Sequence, residues 1–139
     1  MEIIREKERV KITGEVFTPT PIVNDVLDAL PNELFKGTET FCDPMCGDGQ
    51  FLVEVLKRKL SNGVTPSAAI KSIYGVDLMP DNIELCKTRL RNILMEHLNC
   101  EYFALPGNIK RTINKNIVCA DTFAWDFEKW QPENADFYS

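Results

Sequence analysis

The 139 residues suffice for one domain built around one core. A hydrophobic share of 44%, with eight Phe and two Trp, excludes a disordered chain. A formal charge of -5 argues against a chain that grips nucleic acid unaided, because phosphate contacts are made by cations. No apolar run is long enough to span a bilayer. The charged start (Glu2, Arg5, Glu6, Lys7, Glu8, Arg9) is followed by no apolar signal segment, so we expect a cytoplasmic protein without membrane contact. The five cysteines (Cys42, Cys46, Cys86, Cys100, Cys119) contain no Cys-x-x-Cys pair, and His97 is the single histidine. Reduced, mostly buried thiols are expected, with no disulfide framework and no metal site.

Residues 3–12 mix charges with Ile3, Ile4, Val10 and Ile12, a pattern that fits an amphipathic helix and an irregular arm alike. Gly14 to Pro21 is a loop, because Pro19 and Pro21 each push the preceding residue out of helical geometry. Thr20 is placed to cap a helix with Pro21 at its first position, and Ile22, Val23, Val26, Leu27 and Leu30 form its apolar face up to Pro31. Phe17 is either a core anchor for this loop or an aromatic wall over a neighbouring ligand. Asn32 to Glu39 connects to a first strand over Thr40 to Cys42.

The next stretch, Phe41-Cys42-Asp43-Pro44-Met45-Cys46-Gly47-Asp48-Gly49-Gln50-Phe51, reads as strand, glycine loop and helix, the place where an α/β protein holds a nucleotide. Glycine lets the backbone pass close to a ligand, and the free amides opening the helix point into the same space. A dinucleotide fingerprint would need a third glycine where Leu52 stands. Asp43 would also repel a diphosphate, whereas it suits a ligand that carries an ammonium group. The expected ligand is therefore S-adenosylmethionine and not NAD.

The helix runs to about Leu60 and ends at Asn62-Gly63, and Thr65-Pro66 opens a short helical segment through Ile70. Ile73 to Asp77 is the second strand. An acid closing the strand after a glycine loop accepts from ribose hydroxyls in doubly wound folds, which is the role expected of Asp77; the plainer alternative is a surface carboxylate or helix cap. The helix from Pro80 carries Ile83, Leu85, Cys86, Leu90, Ile93, Leu94 and Leu98 on a broad apolar face, with Lys87, Arg89 and Arg91 solvated and His97 near its negative end. Asn99 to Lys115, with Pro106 and Gly107, reads as a loop with at most one helical turn. Asn116 to Asp121 is the third strand, and Asp121 could accept from an adenine amino group or cap the turn at Thr122. Trp125, Phe127 and Trp130 are expected to cover the sheet edge, and Ala135 to Ser139 to enter a fourth strand.

These residues resemble the adenine-specific (N6) DNA methyltransferases of restriction-modification systems, in the arrangement where the cofactor motifs precede the catalytic one. The family's N-terminal Phe-x-Thr-Pro motif is similar to Gly14-Glu15-Val16-Phe17-Thr18-Pro19, and its Asp-Pro-x-Cys-Gly-x-Gly-x-Phe motif is matched from Asp43 through Pro44, Cys46, Gly47 and Gly49 to Phe51. Its two strand-end acids correspond to Asp77 and Asp121. The resemblance implies an α/β, Rossmann-like methyltransferase fold of three to four parallel strands flanked by helices. It also implies cofactor contacts from Phe17, Thr18, Pro19, Asp43, Pro44, Cys46, Gly47, Gly49, Phe51, Asp77, Leu78, Asp121 and Thr122. The family's catalytic run, Asn or Asp followed by Pro-Pro-aromatic, does not occur in these 139 residues, so no catalytic residue is assigned and the chain is expected to be the cofactor-binding half of such an enzyme.

We divide the expected domain into an arm and helix over residues 1–39 and an α/β core over residues 40–139. The implied partner of the complete enzyme is DNA, with a second chain or second copy as the candidate that completes the sheet. The alternatives are a non-catalytic S-adenosylmethionine-binding module and a methyltransferase acting on RNA or protein. Phe17-Thr18-Pro19 favours the DNA enzymes over the last of these.

Overall fold

The computed structural model describes residues 17–135. The expected arm over 3–12 and nearly all of the expected fourth strand lie outside them. Helix α1 (Thr20–Asp28) leads through a single-turn helix, Asn32–Phe35, to strand β1 (Phe41–Asp43). Helix α2 (Gln50–Ser61) and the short α3 (Pro66–Lys71) cross over to β2 (Ile73–Asp77). Helices α4 (Pro80–Leu98) and α5 (Gly107–Asn116) then cross over to β3 (Ile117–Cys119). The three strands form one parallel sheet in the order β1-β2-β3, with Asp43 beside Gly75 and Gly75 beside Ile117. Parallel neighbours need helical crossovers, which the alternation of strand and helix in the chain supplies.

Helix α2 lies on the sheet face that carries Phe41, Ile73 and Gly75. A Cβ on Gly75 would stand 2.7 Å from Leu52 Cδ1, so the helix seats against bare backbone. The close helix-strand approach that a third loop glycine would have allowed is thus achieved from the strand side, with Leu52 as the filler. Helix α4 packs alongside α2 and against β2 and β3. Its Ile83, Cys86, Leu90 and Leu94 are buried at helical spacing, and it ends in the left-handed Asn99 (φ 50°). One core cluster joins these side chains to Leu52, Leu56 and Ile73.

Four expectations need correction. Residues 107–116 form a ten-residue helix where a loop was expected: Ile109 and Ile113 supply a narrow buried stripe, which with Leu105 suffices to dock an otherwise polar segment. Helix α1 is capped by Pro19 and not by Thr20; the Pro19 carbonyl accepts from the Ile22 and Val23 amides, and no side chain caps the helix. Its apolar face is only half used, with Val23 and Leu27 buried while Ile22, Val26 and Leu30 remain exposed. The tryptophan segment covers a sheet face and not an edge. Strands β4 (Trp125–Asp126) and β5 (Gln131–Pro132) form a small antiparallel hairpin that sets Trp130 edge-on to Tyr74 of the central strand, ring centroids 4.8 Å apart.

All five cysteines are free. Among the described residues no helix is long and apolar enough to cross a membrane, and no group of three or more His, Cys, Asp or Glu side chains could hold a metal ion.

Candidate functional site

Beyond the carboxyl ends of the three strands lies a cavity of about 200 Å³. Pro44 and Met45 enter it from the end of β1, Asp77, Leu78 and Met79 from β2, and Ala120, Asp121, Thr122 and Phe123 from β3. This is the crevice where open α/β sheets bind ligands, because the loops that leave the strand ends are free to vary over a rigid base. Larger hollows occur elsewhere. One of about 510 Å³ between the C-terminal parts of α2 and α4 includes Lys57, Glu96 and His97, and a groove of about 290 Å³ lies between α1, β1 and α2. Neither includes Asp77 or Asp121, although the groove takes in Asp43 at the end of β1.

The loop after β1 is shaped by its glycines. Gly47 (φ 55°) and Gly49 (φ 95°) both occupy the left-handed region, where a side chain is strained. A Cβ on Gly49 would also meet Cys86 Sγ at 2.8 Å. Gly49 is the N-cap of α2 and no side chain caps that helix end. The loop is tied to β2 by two bonds: the Cys46 amide donates to the Val76 carbonyl at 2.9 Å, and the Gly47 amide donates to Asp77 Oδ1 at 3.1 Å.

Asp77 is neither a surface carboxylate nor a simple cap. It is 9% exposed, and besides Gly47 it accepts from the Met79 amide (3.0 Å) and from Asn82 Nδ2 (3.1 Å), both on Oδ2. Asp43 accepts from the Met45 amide at 3.1 Å. Burial holds its carboxyl above the ordinary carboxylate range; the Met45 N–H works against this shift and the Asp77 charge adds to it. Asp121 caps the turn that follows β3, its Oδ1 accepting from the Phe123 amide at 3.0 Å, while the residue stays exposed at the cavity.

The remaining expected residues divide into two groups. Phe17 lies over the loop, with ring carbons 3.8 and 3.9 Å from where a Gly47 Cβ would stand. Leu78 and Thr122 line the cavity and Pro44 borders it. Thr18 and Pro19 sit at the start of α1. The Cys46 side chain, by contrast, is buried: hydrogen bonding with the Cys86 thiol and burial push its pKa far up, so it is a neutral thiol facing the core. Phe51 lines the groove between α1, β1 and α2, away from the Asp77 cavity.

Several lining or supporting residues were missed in the sequence. Met45 and Phe123 are 63% and 85% exposed, unusual for large apolar groups, and both line the cavity together with Met79. Asn82 is 1% exposed and reaches Asp77 from the first turn of α4. Its one sequence signal is a polar residue immediately before a buried helical stripe. Asp48, also in the loop, faces Arg89 of α4 with Nη1 3.4 Å from its Oδ1, and the same guanidinium donates to the Asp48 carbonyl at 3.1 Å.

A family model described as N-6 DNA Methylase matches residues 4–134. The chain is similar to the Type II methyltransferase M.VspI of Vibrio sp. (strain 343), with 38% identity over 80 residues that cover 58% of this chain and 17% of that protein. It therefore matches less than a fifth of the relative's length. No solved structure matches it.

Proposed function

The chain belongs to the N-6 DNA methylase family, and from that premise we propose that the cavity at the strand ends binds S-adenosylmethionine for methyl transfer to the amino group of adenine in DNA. The observation that carries this reading is Asp77, a nearly buried carboxylate at the end of the central strand, bonded to the glycine loop and open to the cavity. The donor set fits the cofactor. Asp77 offers an acceptor to a ribose hydroxyl and Asp121 a free carboxylate oxygen to the adenine amino group. Leu78, Met79 and Phe123 offer apolar surface to the adenine ring. Asp43 would meet the ammonium of the methionine part, and Gly47, Gly49 and Phe17 would hold that end of the cofactor.

The bound cofactor supplies a methyl group made electrophilic by its sulfonium. The residues of this chain would hold and orient it: the loop glycines would admit its backbone-like end, the two strand-end acids would fix the nucleoside, and Phe17 would shield the methionine part from water. Because the sequence contains no Asn- or Asp-Pro-Pro-aromatic run, these residues account for cofactor binding and not for activating the adenine. The type II description of the Vibrio relative supports a place in restriction-modification. DNA is then the partner of the whole enzyme, and an acidic chain of this composition holds it weakly by itself.

The reading is tested by following the unfolding temperature of the chain with added S-adenosylmethionine and, separately, with NAD. A ligand that binds only the folded state raises the transition. A rise with S-adenosylmethionine alone is expected; a rise with NAD alone, or with neither, would overturn the assignment.

A further inference from the structure

We propose that Asn82 is a positioning residue of this site, which fixes the Asp77 carboxylate in the orientation that meets the ligand. The inference rests on the reading of Asp77 given above. A carboxylate has about four acceptor positions. Three are taken inside the protein, by the amides of Gly47 and Met79 and by Asn82 Nδ2. Both Met79 and Asn82 act on Oδ2, which leaves the remaining position on Oδ1, so the geometry offers the cavity one oxygen and one direction. Of the three donors only Asn82 is a side chain, hence it is the one contact that sequence can vary. It is buried, and its backbone is held by the adjacent residue, the Asn82 amide donating to Asp81 Oδ1 at 3.0 Å. Without its Nδ2, the Oδ2 side of the carboxylate would keep one backbone donor and could swing toward the cavity.

The charged neighbours of Asp77 define how a change at Asn82 will be felt. Asp43 on β1 acts on it electrostatically, as does the Cys46 position in the loop, and Asp121 stands at the same cavity from the end of β3. On α4 itself the nearby titratable groups are Asp81 and, one turn further on, the buried Cys86. None of these groups is a cation, so the orientation of Asp77 depends on neutral N–H donors. In Asn82→Asp a second carboxyl would lie about 3 Å from Asp77, and such a pair shares one proton until the pH exceeds its upper apparent value. While the proton is shared, the introduced carboxyl can still donate to Oδ2 as the amide does. Once it is lost, two carboxylates repel and the orientation fails.

The test is calorimetric titration of S-adenosylmethionine into the full chain between pH 5.5 and 8.5, for wild type, Asn82→Asp and Asn82→Leu, with each variant's affinity expressed relative to wild type at the same pH. The expected result is that Asn82→Asp binds within about threefold of wild type at pH 5.5 and loses tenfold or more by pH 8.5, whereas Asn82→Leu is weakened tenfold or more throughout. Loss of fold would lower the unfolding temperature of Asn82→Asp in step with its affinity, so the pH-dependent ratio is read only where the unfolding transition shows the variant folded at both ends of the range. An Asn82→Asp ratio that stays flat across the range overturns the proposal, and it does so even where Asn82→Leu fails to fold. Wild type that binds no S-adenosylmethionine would overturn the functional reading and this proposal together, a result distinct from a flat ratio with binding intact.

Discussion

Asp77 makes three hydrogen bonds to protein donors before any ligand arrives. That a strand-end acid matters here was legible from its position after the glycine loop. That it also anchors Gly47 was not, because the bond spans 30 residues and depends on how the loop folds back. Asn82 was hidden although it lies only five residues on, because a polar residue in the first turn of a helix ordinarily faces water. The loop glycines were legible because a left-handed φ leaves few other choices. Asp43 gives a prediction at this scale. Burial raises its pKa, so its carboxyl takes up a proton more readily than an ordinary one, and a bound ammonium favours the ionised form. The sign follows: affinity for S-adenosylmethionine should be level above the raised pKa of Asp43 and fall as pH drops through it, where a proton competes with the ligand. Asp43→Asn should weaken binding at pH 7 by about two- to fivefold, the range of a partly exposed ion pair, and flatten this dependence. Titration from pH 4.5 to 7.5 checks both; a wild-type profile shared by Asp43→Asn would remove Asp43 from the ammonium.

At the scale of elements, patterning was reliable where an apolar stripe was broad, as in α2 and α4, and unreliable where it was narrow. Helix α5 buries Ile109, Ile113 and Asn116 within an otherwise polar segment that opens on Pro106 and Gly107, so the breakers outweighed the stripe in the sequence. The polar staple under α2 was also invisible. Lys59 is 0% exposed, and its ammonium donates to the Gly37 carbonyl (3.0 Å), the Glu39 carbonyl (2.6 Å) and Ser72 Oγ (2.7 Å) while lying over the Phe41 ring. It ties the connection before β1 to the turn before β2, and so sets the level of the strand that carries the glycine loop. Lys59→Met keeps the volume but abandons three acceptors. Because Glu39 and its neighbours are exposed enough for water to replace part of the loss, the expected cost is about 1–3 kcal/mol in denaturant unfolding. An unchanged midpoint would show that the staple contributes nothing net, as happens for some buried charges exchanged for apolar groups.

For the whole molecule, the fold class followed from the alternation of three strand patterns with helical ones, and the structure shows it, whereas the order of the strands comes from the structure alone. An incomplete sheet that a second chain or copy could complete was expected as well. Among the described residues no strand pairs with the outer edge of β1, and beside it Val26 and Leu30 of α1 stay exposed around an apolar groove. An edge of that kind is a template for another strand, and we propose it as the place where a second chain or copy would complete the sheet. The cavity does not border that edge alone. It is built from the ends of all three strands, and on this rests the proposal that this chain contains a self-sufficient cofactor site.

That proposal is decided by calorimetric titration of S-adenosylmethionine into the 139-residue chain, wild type against Asp77→Ala and Asp48→Ala, with folding of each verified by its unfolding transition. Asp77→Ala removes the acid that faces the cavity, whereas Asp48→Ala removes a carboxylate already engaged with Arg89. Saturable binding by wild type is expected, with a loss of at least tenfold in Asp77→Ala and a much smaller loss in Asp48→Ala. Equal losses in the two variants, or a folded wild-type chain that binds nothing, would contradict it.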